Sequence, residues 1–266
     1  SSDLQRQGAR RAALAAMRFS APLFTWVSLR ALPGYVRYFA DLRRFRAIGG
    51  KASLLDAWPC LFDRTAMSSI DTHYFHQAIW AMRHIREQGA ASHVDIGSEV
   101  NFVGMLTTVT AVTFVDIRPL KIGIPNYTGQ TGSITSLPFA DDSVSSLSSL
   151  HVIEHIGLGR YGDPIDPAGP EKAAREITRV LSSGGRAYIS APVGRPRVQF
   201  NGQRVFGVDE LPKLFAGLRA ANFSLIDAHG VFHADADISC ADIRESGAGL
   251  DCGLGLYVLE KPTSTP

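Results

Sequence analysis

The 266-residue sequence predicts an α/β protein with a doubly wound, mostly parallel sheet and an N-terminal helical extension. From residue 89 onward, short apolar runs typical of buried strands alternate with stretches of helical period. Such alternation is typical of parallel strands joined by crossover helices. Residues 1–88 read instead as helices and loops. The prediction is therefore a basic helical extension over 1–88 and a sheet domain over 89–266.

The clearest helix of the extension is "DTHYFHQAIWAMRHIRE", residues 71–87. Asp71 is a suitable N-cap for it. Five apolar residues of helical period predict the side that packs on the core: Phe75, Ala78, Ile79, Met82 and Ile85. His73 and His76 lie on the opposite side.

The sheet domain is predicted element by element. The strands are "HVDIG" (93–97), "VTFVDI" (112–117), "VSSLSSL" (144–150), "GRAYISAPVG" (185–194), "SLIDAHGVF" and "GLGLYVLE". "PEKAAREITRVL" (170–181) predicts a helix with proline in its first turn, and "VDELPKLFAGLRAANF" (208–223) predicts a second, late-starting one. In such a sheet, ligands bind beyond the carboxyl ends of the strands.

Charge is distributed unevenly along the chain. Residues 1–51 carry ten Lys and Arg against two Asp, a net of +8, so the remainder carries 2 − 8 = −6. A basic arm predicts an anionic partner, either a membrane surface or a polyanion, while a solvated helical face is the alternative. Of these we favour peripheral contact with an anionic membrane, and we expect no specific nucleic acid. The apolar run at residues 19–29 is shorter than the ~20 residues that a membrane span needs.

The three cysteines, Cys60, Cys240 and Cys252, form no disulfide framework and no C-x-x-C pair. This usage favours a reducing compartment. We therefore expect a cytoplasmic protein that contacts the inner face of the membrane peripherally.

The first candidate site residues are Gly97 and Asp116, which follow two successive predicted strands. Gly97 lies where backbone approaches a ligand closely, and an acid 19 residues later suits the two hydroxyls of a ribose. A tight turn is the alternative for Gly97.

"GSITSLPFADDSVSSLSSLHVIEHI" and "REITRVLSSGGRAYISAPV" closely resemble class I S-adenosylmethionine-dependent methyltransferases, over about residues 90–227. "HYFHQAIW", "VDIRP" and "FNGQRVF" resemble an uncharacterised bacterial branch often associated with surface-polysaccharide genes. The resemblance implies a Rossmann-like sheet and S-adenosylmethionine as cofactor. It assigns cofactor binding to Asp95, Gly97, Ser98, Asp116, Ile117, Ser133, Ile134 and Leu150. The sequence departs from the family at Glu99, where a glycine is usual, and at Ser133, where an acid is usual.

His151, Glu154 and His155 form an H-x-x-E-H pattern, which in some zinc proteases lies on one helix. Here a strand precedes it, and Gly157 and Gly159 end any helix within two turns, so the protease interpretation is strongly disfavoured. The methyltransferase resemblance places His151 beside the transferable methyl group. We predict His151 or His155 as general base with Asp163 as its orienter. A divalent ion held by the three residues of the pattern is the less favoured alternative.

Loops at the same sheet edge carry the remaining candidates. The substrate-binding prediction comprises His73, His76, Arg160, Tyr161, Asn201 and Arg204, for which helix packing or plain connectors are the alternatives. The resulting hypothesis is O-methylation of a sugar or glycolipid hydroxyl in surface-polysaccharide metabolism. Two alternatives stay open: a catalytically degenerate scaffold at membrane-bound polysaccharide machinery, and a nucleotide-sugar-processing enzyme.

Overall fold

The computed structural model describes residues 28–66, 68, 70–239 and 252–263. The chain divides into two compact units, residues 1–69 and 70–266. In the first unit, helix α1 spans Ser28–Ala47 and a short 3-10 turn spans Leu54–Asp56. Arg37 Nη2 donates to the carbonyl oxygen of Leu61 at 2.8 Å. None of the helices described in the structure is both long and apolar enough to cross a membrane.

Much of the basic arm lies outside the described residues, including its four N-terminal arginines at positions 6, 10, 11 and 18. The apolar run of residues 19–29 also falls mostly there. In the described remainder of the arm, α1 carries five arginines and Asp41, and Lys51 follows the helix.

Helix α2 spans Thr72–Gln88 and begins at the predicted cap: the Asp71 carboxylate accepts from the backbone N–H groups of His73 and Tyr74. Its buried side differs from the predicted one. Gln77, Trp80, Ala81 and Ile85 are buried, whereas Phe75 and Ile79 are 49% and 38% exposed. The reason is a polar contact made within the core, since Ser190 Oγ donates to Gln77 Oε1 at 2.7 Å.

This packing also places the domain boundary earlier than residue 89. Trp80 lies edge-on to Tyr188 of the sheet, with ring centroids 6.2 Å apart. Because α2 shares one hydrophobic cluster with the sheet, it belongs to the second unit, which begins at Ile70.

The second unit contains an eight-stranded sheet in the order β3-β2-β1-β4-β5-β10-β8-β9. The strands are β1 Ser92–Ile96, β2 Ala111–Asp116, β3 Tyr127–Thr131, β4 Val144–Leu150, β5 Leu181–Val193, β8 Arg219–Ile226, β9 Phe232–His233 and β10 Gly253–Glu260. Strands β1 to β5 run parallel, and β10 is antiparallel to β5 and β8. A separate hairpin pairs β6 Arg197–Gln199 with β7 Gln203–Val205. The predicted doubly wound, mostly parallel sheet is confirmed.

Two helices connect the parallel strands. Helix α3, Val100–Leu106, follows β1, and helix α4, Gly169–Val180, precedes β5. The side chains on the inner side of α4 are fully buried, as its apolar period predicts. Apolar clusters cover both faces of the sheet.

The predicted helix over residues 208–223 is wrong. Only a 3-10 turn, Leu211–Leu214, forms there, and β8 begins at Arg219. Pro212 removes a backbone donor, and Gly217 has a φ of +94°, which ends any helix. The segment then pairs with β10 through backbone hydrogen bonds. This partner lies some thirty residues later, so local sequence does not show it.

Strand order decides where a ligand fits. The chain leaves β1 in one direction across the sheet, toward β2 and β3, and β4 and β5 lie on the other side of β1. The order therefore reverses between β1 and β4, and the carboxyl ends of these two strands form the switch point at which doubly wound sheets bind ligands.

Candidate functional site

A cavity of about 630 Å³ opens at this switch point. Residues that follow β1, β2, β3 and β4 line it. Seven of the eight predicted cofactor residues are among them: Gly97, Ser98, Asp116, Ile117, Ser133, Ile134 and Leu150. The volume is within the range of about 300–1,000 Å³ typical of small-molecule sites.

Gly97 and Asp116 lie next to each other at this edge because β1 and β2 are paired neighbours. Gly97 has a φ of +69°, and a Cβ added there would lie 3.3 Å from Val152 Cγ1 and 3.6 Å from Asp116 Oδ2. The left-handed conformation favours glycine at this position, and a Cβ there would be tight against Val152. Asp116 Oδ1 accepts from the backbone N–H of Arg118 at 2.6 Å.

Asp95, the eighth predicted cofactor residue, does not line the cavity. It is fully buried beneath it. Its carboxylate accepts from Ser148 Oγ and from the backbone N–H of Ser98. Ser98 Oγ in turn accepts from the backbone N–H of Leu150 at 3.0 Å. Asp95 therefore joins the ends of β1 and β4 and positions the loop rather than contacting a ligand.

The polar network continues inward from Asp95. His93 is buried between Ser146 Oγ and Ser148 Oγ, each 2.8 Å from a ring nitrogen. Burial lowers the pKa of His93 to about 3 and raises that of Asp95 to about 6. The imidazole is thus neutral, and no cation within the network compensates an ionised Asp95.

We expect Asp95→Asn to stabilise the protein above pH 6. A carboxyl with a folded-state pKa raised from 3.8 to about 6 binds its proton more tightly when folded. Wild-type stability from this group is therefore lost as pH rises from 4 to 6. The shift in the pKa of Asp95 corresponds to roughly 2–3 kcal/mol of unfolding free energy. Urea unfolding of both proteins at pH 4 and 7.5 measures the difference, with the exposed-carboxylate variant Asp63→Asn as control. A wild-type-to-variant difference independent of pH would contradict the assignment.

Glu99, the departure from the family glycine, caps α3. Its Oε2 accepts from the backbone N–H groups of Asn101 and Phe102, at 3.0 and 3.1 Å. The side chain is thereby turned onto the helix, although it still borders the cavity. The cap explains why a bulky residue is accommodated there.

His151 and Glu154 form a buried pair at the end of β4. His151 Nδ1 lies 2.6 Å from Glu154 Oε1, and the two side chains are 10% and 0% exposed. His151 Nε2 is buried and has no hydrogen-bond partner among the described residues. His151 has a φ of +58°, a conformation that costs a non-glycine residue about 1–3 kcal/mol. The strained backbone and the unpaired nitrogen both point to a functional side chain.

This geometry corrects the predicted orienter. Asp163 contacts neither histidine; its carboxylate accepts from the backbone N–H groups of Gly157, Gly159 and Tyr161. Asp163 therefore shapes the loop after β4, and Glu154 holds His151. The three-residue spacing of His151 and Glu154 was the signal in the sequence for this pair.

His155 also lines the cavity, but its ring is held differently. Its Nδ1 lies 2.7 Å from the carbonyl oxygen of Gly202, in the turn of the β6–β7 hairpin. Arg160 Nη1 donates to the same oxygen at 3.0 Å. The hairpin thus supports the loop after β4.

Aromatic rings cover His151. Tyr74 of α2 stacks on it at 5.1 Å between centroids, and His73 stacks at 5.8 Å. Tyr74 lines the cavity, whereas His73 does not. Burial lowers the pKa of His73.

Several predicted substrate residues lie away from the cavity lining. His76 stacks on Phe232. Arg204 is 9% exposed, and its Nη1 donates to the carbonyl oxygen of Ile156 at 2.6 Å. Neither these residues nor Asn201 and Arg160 line the cavity. Arg160 and Arg204 donate to backbone carbonyl oxygens of distant loops, a role that the sequence does not show.

Tyr161 is the predicted substrate residue that lines the cavity. It is 42% exposed, and the guanidinium carbons of Arg118 and Arg160 lie 5.3 and 5.1 Å from its ring centroid. These contacts hold the ring at the cavity mouth through cation–π attraction.

The H-x-x-E-H residues stand close without forming a metal-binding group. Glu154 Oε1 lies 3.8 Å from His155 Nε2, and the Nδ1 atoms of both histidines are engaged in hydrogen bonds. Within the described ranges, no three His, Cys, Asp or Glu side chains are grouped to hold a metal ion.

Comparisons with known proteins agree with this architecture. The sequence model of a family described as "Caenorhabditis protein of unknown function, DUF268" matches residues 95–236, more than half of the chain. No curated protein matches the sequence.

Among solved structures, the [4+2]-cyclase SpnF has a TM-score of 0.53 at 14% identity, covering 87% of this chain and 95% of SpnF. The N-methyltransferase NodS of Bradyrhizobium japonicum WM9 has a TM-score of 0.52 at 13% identity, covering 72% and 98%. NodS in complex with S-adenosyl-L-homocysteine has a TM-score of 0.51 at 13% identity, covering 77% and 92%. The fold is thus that of class I S-adenosylmethionine-dependent methyltransferases, and SpnF illustrates that this fold also serves a cyclase.

Proposed function

The chain belongs to the DUF268 family, and we propose that it is an S-adenosylmethionine-dependent O-methyltransferase acting on a sugar or glycolipid hydroxyl. The observation that carries the proposal is the His151–Glu154 pair at the switch-point cavity. The sugar or glycolipid acceptor, and a role in surface-polysaccharide metabolism, rest on the sequence resemblance described above.

The cavity fits the cofactor. Asp116 offers carboxylate oxygens for ribose hydroxyls, and the missing side chain of Gly97 leaves space beside it. Ile117 and Ile134 offer apolar surface for the adenine. Ser133 replaces the usual acid, and its Oγ lies 2.9 Å from Thr135 Oγ1. When bound, S-adenosylmethionine supplies a methyl group that an acceptor oxygen displaces from sulfur.

His151 is suited to take the proton of the acceptor. A sugar hydroxyl is a weak acid, so its oxygen becomes an effective nucleophile only if a base removes the proton. Glu154 engages Nδ1, which leaves Nε2 as the proton-accepting atom. The buried carboxylate also stabilises the imidazolium that forms, as in other histidine–carboxylate pairs.

Calorimetry with the purified chain tests the proposal against both alternatives. We expect S-adenosylmethionine and S-adenosylhomocysteine to bind and nucleotide sugars not to bind. Binding of nucleotide sugars alone would favour the nucleotide-sugar-processing enzyme. No binding of any of these compounds would favour the scaffold.

We also propose that residues 1–51 contact an anionic membrane. On α1, Leu32, Val36 and Phe39 recur at helical spacing and are 67%, 67% and 47% exposed. Exposed arginines follow them toward the end of the helix. An apolar strip next to cationic side chains is the composition of helices that lie at lipid headgroups.

Vesicle sedimentation tests this contact. Vesicles containing phosphatidylserine should retain the full chain, and deletion of residues 1–51 should weaken retention. Added salt should weaken it too, because at 0.1 M salt charges more than ~10 Å apart are largely screened from each other. Neutral phosphatidylcholine vesicles are the control. Retention unaffected by deletion and by salt would indicate a solvated structural face.

A further inference from the structure

A second cavity, of about 440 Å³, adjoins the one described above. Helices α2 and α3 form its walls. It shares four lining residues with the first cavity: Tyr74, Ser98, Glu99 and Leu150. Because Tyr74 stacks on His151, a molecule in the second cavity lies one aromatic ring away from the proposed base.

The wall of the second cavity is largely apolar. Ile70, Phe75, Ile79 and Met105 line it and are 51%, 49%, 38% and 48% exposed. Four large apolar side chains exposed around one concavity are typical of a ligand-binding surface.

Most of its polar atoms are engaged within the protein, namely Asp71 Oδ1, both Glu99 carboxylate oxygens and Gln77 Oε1. The Asp71 carboxylate caps α2, the Glu99 carboxylate caps α3, and Gln77 Oε1 accepts from Ser190. None of the described residues that line it is Lys or Arg. An anion would meet carboxylates and no cation among these described residues, and a sugar ring would bury its hydroxyls against a largely apolar wall, whereas an alkyl or aryl group gains burial without losing hydrogen bonds.

We propose that the second cavity binds an alkyl or aryl group of the acceptor, while the acceptor hydroxyl lies at His151. The acceptor class is thus amphipathic, an alkyl- or aryl-substituted glycoside or glycolipid, and not a free sugar or polyanion. The inference rests on the proposed function and narrows its substrate.

The test uses the neutral fluorescent probe N-phenyl-1-naphthylamine with the full chain. Wild type should bind the probe, and octyl glucoside should displace it where methyl glucoside at equal concentration does not. Met105→Asp and Ile79→Asp should each weaken probe binding by about tenfold or more, because a carboxylate in the wall opposes apolar burial. Val231→Asp, at a position 52% exposed outside both cavities, is the matched control.

Affinity for S-adenosylhomocysteine, measured on the same proteins, separates the apolar site in the second cavity from the proposed methyltransferase function. Unchanged affinity in both aspartate variants shows that they remain folded with the first cavity intact. Equal probe binding by wild type and these variants would overturn the apolar site. If wild type does not bind S-adenosylhomocysteine but the variants still lose probe binding, the apolar site is supported and the proposed methyltransferase function is contradicted.

Discussion

His151→Ala is expected to lower turnover of the true acceptor by about 10²–10⁴-fold, the loss typical of a missing general base. Affinity for S-adenosylhomocysteine should stay nearly unchanged, because the pair with Glu154 lies at the end of β4 and Asp116 lies at the end of β2. Single-turnover methyl transfer and calorimetry measure the two quantities separately.

Glu154 is expected to act through His151 as a positioning residue. Glu154→Gln keeps the size of the side chain but removes the charge that stabilises the imidazolium. We therefore expect kcat to fall while the KM of the acceptor changes little. A merely structural role would change folding or KM instead.

His76→Ala is the matched control, since this histidine of α2 stacks on Phe232 away from the cavity. It should retain full turnover. If a bound divalent ion rather than His151 activates the acceptor, a chelator would abolish wild-type activity, and Mn²⁺ or Zn²⁺ would restore it. Full activity of both His151→Ala and His155→Ala in the presence of chelator would show that residues 151–155 have only a structural role, as a strand end and a turn.

Asp116→Ala is expected to weaken S-adenosylhomocysteine binding by roughly 10²–10⁴-fold. Each hydrogen bond from a ribose hydroxyl to a charged carboxylate contributes about 1.5–3 kcal/mol, and two such bonds are lost together. Calorimetry gives the affinity, and thermal unfolding without ligand shows whether the domain remains folded.

Asp116→Asn refines this experiment. The amide keeps an oxygen that can accept from the backbone N–H of Arg118, so the loop geometry is preserved while the charge is removed. We expect an intermediate loss of affinity. Glu87→Ala, an exposed carboxylate of α2, is the control. Unchanged affinity in Asp116→Ala would show that the cofactor binds elsewhere or not at all.

Local sequence patterns were enough to predict four of the five parallel strands, β1, β2, β4 and β5, whereas β3 was not predicted. Strands β1 and β2 form where short apolar runs end in glycine or acid, β4 forms over the predicted segment 144–150, and α4 forms where apolar residues recur with helical period. These features depend on backbone preferences and burial within about ten residues. The proximity of Gly97 and Asp116 follows from them, because consecutive parallel strands that pair bring their carboxyl ends together.

The pairing of polar groups, by contrast, depends on tertiary contacts. Gln77 lies in the core because Ser190, 113 residues later, donates to it. Glu154 rather than Asp163 orients His151, since the turn after β4 brings its carboxylate to Nδ1. Residues 219–226 form β8 instead of a helix because β10 offers backbone hydrogen bonds. A buried polar group is stable only with a hydrogen-bond partner, and that partner is often distant in the chain. Such pairs therefore form only when the chain folds, and local sequence does not predict them.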